Sequence, residues 1–128
     1  MSDNQNPEAV KSSLLKARWR TYKTITVEGE SGAVELVVRR PPPKFILRAL
    51  KQMEADGLVD AKHNAVSEEA GLVVSARLIA PMLYLPNARE QLFTPEELIE
   101  AAWFMEVLHE CLPALGATKG MVEAATGN

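Results

Sequence analysis

Two short segments near the start of the chain alternate between apolar and polar residues. Residues 22–28, YKTITVE, and residues 33–39, AVELVVR, both have the period of two expected for strands with one buried face. Residues 29–32, GESG, supply the glycines that tight turns favour. The sequence therefore predicts an antiparallel hairpin over 22–39, which needs support from the rest of the chain because an isolated hairpin is marginal in water.

Three later segments have helical periodicity, and they predict helices at about 43–56, 67–80 and 95–112. Proline suits the first position of the first of these helices, and Gly57 ends it. Ser67 caps the second, whose centre, GLVVSARLIA, is apolar almost all round, so we expect it to be enclosed on several sides.

The start of the third helix has several capping signals. Thr94 is a cap residue, Pro95 suits the first helical position, and Glu97 stands where a capping box needs an acid. Successive residues of an α-helix are rotated by about 100°, and at this spacing five apolar residues form one stripe along the helix, which we assign to the core. Its members are Leu98, Ala101, Met105, Leu108 and Leu112.

A second apolar ridge runs along the acidic side of this same predicted helix. Ile99, Trp103 and Val107 follow one another at intervals of four, among glutamates. Large exposed apolar patches are uncommon on monomers, so we expect a cover. The first helix of the chain, residues 117–125 or a partner molecule could each provide it, and the sequence leaves these alternatives open.

Pro81 leaves the path of the chain between the second and third helices open. It disturbs the second helix, and residues 82–86 continue either as a kinked turn or as an extended connection. The longest apolar stretch, residues 78–86, is too short to span a bilayer and contains this helix breaker. We therefore expect no membrane association.

These elements together predict a predominantly helical α+β fold, with one N-terminal antiparallel β-hairpin packed against three or four α-helices. A chain of 128 residues with 47% hydrophobic and 24% charged residues fits one domain, placed at 21–116. Residues 1–20 are expected to form a short helix or a flexible arm, and residues 117–128 a C-terminal tail or a short helix.

Charge is divided unevenly between the two ends of the chain. Residues 1–51 contain ten Lys and Arg against five acids, whereas residues 52–128 contain four against twelve. Such polarity suits head-to-tail contacts between copies or the steering of a partner, and it identifies neither. The polar opening MSDNQNP lacks the features of a secretory signal, so we expect a cytoplasmic location.

The search for chemistry is mostly negative, and we expect no catalytic residues, no cofactor and no metal. His63 and His109 have no second ligand at metal-binding spacing, and the sole cysteine, Cys111, stands in a helical pattern typical of a buried thiol. The acids Glu96 and Glu97 complement a helix dipole rather than form a catalytic pair. No nucleophile elbow or phosphate-binding glycine loop is present in the sequence.

A basic segment gives nucleic-acid binding a partial case. Residues 16–23, KARWRTYK, interleave four bases with Trp19 and Tyr22, and five further basic residues lie between 39 and 51. The pI near 5.4 and the acidic second half argue against nucleic acid as the partner.

The order of elements resembles the small tail assembly chaperones of long-tailed bacteriophages. The resemblance covers about residues 20–128 and includes the hairpin ending in VELVVRRPPP, the segment LIAPMLYLPNAREQLFTPEEL and the close GATKGMVEAATGN. The residues that match the family's step before an acid-rich helix are Leu92, Phe93, Thr94, Glu96 and Glu97. The preceding turn, LPNARE, lacks the Asp and Gly usual in that family.

The resemblance implies a non-enzymatic protein in the cytoplasm of the bacterial host, absent from the mature virion. Its implied partners are the tape measure protein, with the tail tube protein as a second candidate, and further copies of itself. Partner-binding residues would be Ile99, Trp103 and Val107, with Met82, Tyr84 and Leu85 as a second patch. Two alternatives remain at this point: a structural or adaptor subunit retained in its complex, and a small nucleic-acid-binding regulator.

Overall fold

The computed structural model describes residues 6–118, which adopt an α+β fold. In chain order the helices are α1 (Pro7–Lys16), α2 (Pro43–Ala55), α3 (Glu68–Ile79), α4 (Pro95–Ile99) and α5 (Phe104–Cys111), and the strands are β1 (Thr21–Gly29), β2 (Gly32–Arg39) and β3 (Leu83–Tyr84). Short 3-10 helices cover Ala80–Met82 and Leu112–Thr118. The α+β class and the N-terminal hairpin are confirmed, whereas the sheet has a third strand that the sequence did not indicate.

The three strands form an antiparallel sheet in the order β1-β2-β3. Across the hairpin, Ile25 lies opposite Leu36. Gly32 follows the turn with a φ of 126°, a conformation that residues with a side chain rarely adopt, which explains the glycine at this position. Tyr84 of β3 pairs with Val37 on the other side of β2. Strand β1 is therefore an edge strand, and no other described strand pairs with its outer side.

Pro81 determines the path of the chain after α3. It lies in the 3-10 helix Ala80–Met82, and the next residue, Leu83, is extended. Because proline has no N–H to continue the helical ladder, α3 ends at Ile79 and the chain passes through one tight turn into β3. Leu83 then accepts a hydrogen bond from the Leu92 amide at 3.0 Å, which closes the intervening loop. The chain therefore forms a kinked turn at Ala80–Met82 and then an extended segment, so both alternatives that the sequence left open occur, one after the other.

The core lies between one face of the sheet and the helices. Helix α3 is its centre: seven of its residues are buried, as the all-round apolar pattern predicts, and Ser67 caps it by accepting a hydrogen bond from the Ala70 amide at 3.0 Å. The buried side chains around it are Ile25, Val27, Leu36 and Val38 from the sheet, Ile46, Leu50 and Met53 from α2, and Leu98, Phe104, Val107, Leu108 and Cys111 from α4 and α5.

The predicted continuous helix over 95–112 is wrong. Helix α4 has only five residues, and a turn over 100–103 separates it from α5. In this turn the amides of Ala101 and Phe104 donate to carbonyls three residues back, at 3.0 and 3.1 Å, instead of four. No proline or glycine lies in the turn, so tertiary packing rather than local sequence breaks the helix.

The break changes which residues of α5 face inward. Phe104 and Val107 are buried, while Met105, predicted to lie in the core stripe, is 50% exposed. Leu98 and Leu108 keep their predicted places in the core. Packing both short helices on the core outweighs the small loss of helical hydrogen bonds at the turn, because most helical stability in proteins comes from such packing.

The two ends of the described chain differ. Helix α1 forms where a short helix or flexible arm was predicted: Asn6 caps it by accepting from the Glu8 amide at 2.9 Å, and none of its residues is buried. At the other end, the predicted tail or short helix over 117–128 lies almost entirely outside the described residues. Within 6–118, no helix combines the length and apolar character needed to cross a bilayer.

Candidate partner-binding groove

A groove with a volume of about 620 Å³ lies between the outer edge of β1 and helix α5 with the turn before it. It brings together part of the predicted ridge and residues of the hairpin that the sequence did not assign to any site. Its lining consists of Thr24, Ile25, Thr26, Val27 and Glu28 on the strand side and Ala102, Trp103, Glu106, Val107 and Glu110 on the other.

The main chain of β1 contributes unused hydrogen-bonding groups to this groove. The hairpin closes through a two-residue turn with Gly29 opposite Gly32. The main-chain N–H and C=O groups of the odd-numbered β1 residues therefore point toward β2. The N–H and C=O groups of Thr24, Thr26 and Glu28 therefore point outward, along the edge that no described strand covers. An open edge of this kind can hold polar groups of an incoming chain.

The floor of the groove is apolar. Ile25 and Val27 are each 9% exposed, and Val107 is 3% exposed. Trp103 is half-buried, and its ring packs at 5.3 Å and 54° against that of Phe93. The indole is thus held by its own chain on one side while another part of it lines the groove.

The predicted ridge therefore divides. Val107 belongs to the core, Ile99 is half-buried against it, and only Trp103 and the adjacent side of Val107 reach the groove. The cover comes from β1 and Phe93 rather than from α1. The alternative cover by residues 117–125 lies almost entirely outside the described residues.

The rim of the groove is acidic. Glu28 is exposed on the strand side, and Glu106 and Glu110 are exposed on α5. Lys23 closes one end through an ion pair with Glu110, and this hydrogen bond raises the pKa of the lysine above its ordinary value. The remaining two carboxylates have no ion-pair partner among the described residues, so they give the groove a negative potential.

The second predicted patch does not join the groove. Met82 is fully buried, Leu85 is 41% exposed, and Tyr84 belongs to β3, at the edge of the sheet opposite to β1. The six predicted partner-binding residues therefore occupy two separate places, and two of the six, Met82 and Val107, are core residues in this chain.

Arg39, which the sequence placed among the basic residues that could contact phosphate, is instead a buried structural residue. Although charged, it is only 4% exposed. Its guanidinium stacks over the Tyr84 ring at 3.9 Å and donates to the Ala88 carbonyl at 2.7 Å, so it ties the loop after β3 to the sheet. The strand alternation already placed Arg39 on the polar face, but nothing in the sequence indicates that the loop folds over this face.

Cys111 is buried, and burial raises the pKa of its thiol to about 12. At neutral pH the group is therefore a protonated thiol that packs like an apolar side chain. Within residues 6–118 no three His, Cys, Asp or Glu side chains come together in a way that could hold a metal ion. His109 is exposed, and Nε2 of His63 lies 3.9 Å from Oε1 of Glu54.

The aromatic residues of the basic segment pack on their own chain. Trp19 contacts Phe45 edge to face at 4.9 Å, and the Arg40 guanidinium lies 4.9 Å from the centre of the Tyr22 ring. Each ring thus has a contact within its own chain, which reduces the surface left for base stacking and weakens the case for single-stranded nucleic acid at this segment.

The fold and the groove together define a small α+β domain with a negatively charged, apolar-floored binding surface. No protein-family model, no curated protein and no solved structure matches the chain. Its function must therefore be argued from the groove and from the pattern of the sequence.

Proposed function

We propose that the chain is a non-enzymatic tail assembly chaperone of a long-tailed bacteriophage, which binds apolar helical segments of the tape measure protein before the tail tube encloses them. The observation that carries this proposal is the groove between β1 and α5. The sequence resemblance at residues 92–97 supplies the family, and the groove supplies a surface with which such a protein would work.

The shape and chemistry of the groove suit a helical client with a variable sequence. A tape measure protein presents long apolar helical stripes that associate with one another if left exposed. The Trp103 indole offers apolar contact without the directional demands of a buried polar network. The acidic rim favours clients whose apolar stripe is flanked by Lys or Arg, because opposite charges steer encounter and fix orientation.

Truncating Trp103 is an ambiguous test, because the same side chain stabilises the fold and lines the groove. The Trp103 indole packs on Phe93, and Trp103→Ala should lower the free energy of unfolding by roughly 2 kcal/mol, about half the cost for a fully buried tryptophan. The same change would weaken client binding, and the two effects could not be separated by affinity alone.

Ala102 offers a cleaner test because it is exposed and lines the groove. Ala102→Arg should fill part of the groove without disturbing the core. Ala61→Arg, at an exposed position in the loop after α2, introduces the same side chain away from the groove and is the matched control.

The measurement is calorimetric titration of wild type and each variant with overlapping helical peptides from the tape measure protein of the same phage. Wild type and Ala61→Arg should bind peptides with an apolar stripe and basic flanks. Ala102→Arg should bind them at least about tenfold more weakly, because the added side chain occupies part of the groove and its charge repels the basic flanks. Equal affinity of all three proteins, or no binding by wild type, would refute the groove as the client site.

A retained structural subunit could use the same groove, so composition of the mature particle separates the two functions. The chaperone proposal expects the chain to copurify with tape measure protein in infected cells and to be missing from purified virions by mass spectrometry. Its presence there at a fixed ratio to the tube protein would favour the structural subunit.

A further inference from the structure

Helix α1 has two leucines that the described part of the chain leaves exposed. Leu14 is 61% exposed and Leu15 is 79% exposed, and no residue of the helix is buried. A ten-residue helix is marginal in water unless one face packs on something. The Asn6 cap fixes the start of this helix, and within residues 6–118 no contact buries any of its side chains.

The same helix has two lysines beside these leucines and one acid, Glu8, in its first turn. Lys11 lies on the side of Leu14 and Leu15, at three and four residues from them, and Lys16 ends the helix. Arg18 and Arg20 extend the positive charge into the segment before β1. The exposed apolar face of α1 is thus bordered by positive charge, and this chemistry is the complement of the groove, which has an apolar floor and a rim of unpaired carboxylates.

The helix lies away from the groove of its own chain. The segment that follows α1 is fixed by the contact of Trp19 with Phe45 and by a 2.8 Å hydrogen bond from the Arg40 amide to the Arg20 carbonyl. Leu14 lies beside the prolines at 41–43, on a surface that shares no residue with the groove. Docking into a second copy needs no rearrangement of these contacts.

We propose that α1 of one copy docks into the β1–α5 groove of a second copy, with Leu14 and Leu15 against Trp103 and with the lysines of α1 facing Glu28 and Glu106. The contact joins two different surfaces, so it leaves one helix and one groove free and can extend into longer head-to-tail assemblies. A client helix and α1 would compete for the groove. The inference does not depend on the proposed function, because self-association is measured without any client.

Two variants of the full chain disable the two sides of the contact separately. Leu14→Ser with Leu15→Ser removes the apolar face of α1, and Glu28→Lys with Glu106→Lys reverses the rim of the groove. All four positions are exposed, so both variants should keep the fold, which circular dichroism and thermal melting check. Glu35→Lys with Glu90→Lys, at exposed positions outside the groove, makes the same change in net charge and is the control.

Sedimentation velocity over a range of concentrations at low salt is the assay. Wild type and the Glu35/Glu90 control should associate as concentration rises, and added salt should weaken this association. The rim variant should associate about tenfold more weakly through its two reversed charge contacts. The helix variant should lose about a hundredfold through its two uncovered leucines.

Mixing the two defective variants gives the sharpest test. The rim variant still has an intact α1, and the helix variant still has an intact groove, so the mixture should form one-to-one dimers at concentrations at which neither variant associates alone. A monomeric wild type at all concentrations, association that neither variant weakens, or a mixture that fails to pair would each overturn the proposal. A monomer whose α1 is protected would show instead that the helix docks within its own chain.

Discussion

The capping box at Thr94 provides a stability prediction that can be worked out from two hydrogen bonds. The Thr94 hydroxyl accepts from the Glu97 amide at 3.2 Å, and the Glu97 carboxylate accepts from the Thr94 amide at 2.8 Å. Helix α4, which these bonds start, has five residues and buries Leu98 completely against α3. So short a helix contains very few internal hydrogen bonds, so its cap accounts for much of its local stability.

Thr94→Ala removes the first bond and loosens the geometry of the second. Loss of an N-cap hydroxyl costs about 1 kcal/mol, and weakening the reciprocal bond adds about 0.5 kcal/mol. We therefore expect the free energy of unfolding to fall by roughly 1.5 kcal/mol. For a chain of this size that corresponds to a decrease in Tm of about 6 °C, taking roughly 4 °C per kcal/mol.

Urea unfolding followed by circular dichroism measures this change, and calorimetry gives Tm. Thr94→Ser keeps the hydroxyl and should lose less than about 0.5 kcal/mol, since serine caps as well as threonine. Glu97→Ala should cost about 0.5 to 1 kcal/mol and should be less than additive with Thr94→Ala, because the two residues share one structure. The reasoning fails if Thr94→Ala leaves stability within about 0.3 kcal/mol of wild type, or if serine is as harmful as alanine.

Three further predictions concern buried and ionised groups. Arg39→Met should lower the free energy of unfolding by about 2 kcal/mol and expose the loop at 85–91 to proteases, because a buried charged hydrogen bond is lost. The control is Arg40→Met at the exposed neighbouring position, which should lose less than about 0.5 kcal/mol. Cys111 should react with Ellman's reagent only as fast as the protein unfolds, since burial raises its thiol pKa to about 12, and prompt reaction in the native state would contradict this. Hydrogen bonding to Arg77 lowers the pKa of Asp56, and a hydrogen bond from the Asn64 amide lowers the pKa of Asp60. These two carboxylates therefore stabilise the fold at pH values above the pKa of an aspartate in the unfolded chain, and this effect is lost as the pH falls through their lower pKa values in the folded state. Tm should therefore decrease below about pH 4, and less so in Asp56→Asn with Asp60→Asn.

Local signals in the sequence predicted most of the elements. Alternation predicted the hairpin, whose glycines needed no long-range information, and the cap residues Ser67 and Thr94 marked the starts of α3 and α4 within one residue. These features depend on residues within one turn of each other. Their physical causes are therefore contained in short stretches of sequence, which is why they could be predicted.

The features that were missed depend on contacts between distant segments. The turn over 100–103 contains no helix breaker, and it exists because α4 and α5 each pack on α3. Strand β3 has only two residues, too few for alternation to be visible, and it is recognised only by its pairing with Val37. The groove itself joins β1 with α5, and periodicity within either segment could not show that they lie side by side.

The turn between α4 and α5 connects the stability argument with the groove. The capping box positions Phe93 immediately before α4, and Phe93 in turn packs on Trp103, which lies in the turn and lines the groove. In an unbroken helix the Trp103 side chain would point in about the same direction as that of Ile99, one turn earlier. The turn over 100–103 changes this direction, because α5 starts as a new helix. The cap, the turn and the indole therefore form one local unit. Thr94→Ala should consequently weaken client binding in the groove, although Thr94 itself does not line it. Arg39→Met, with a similar loss of stability at the end of the central strand β2, should leave binding in the groove unchanged.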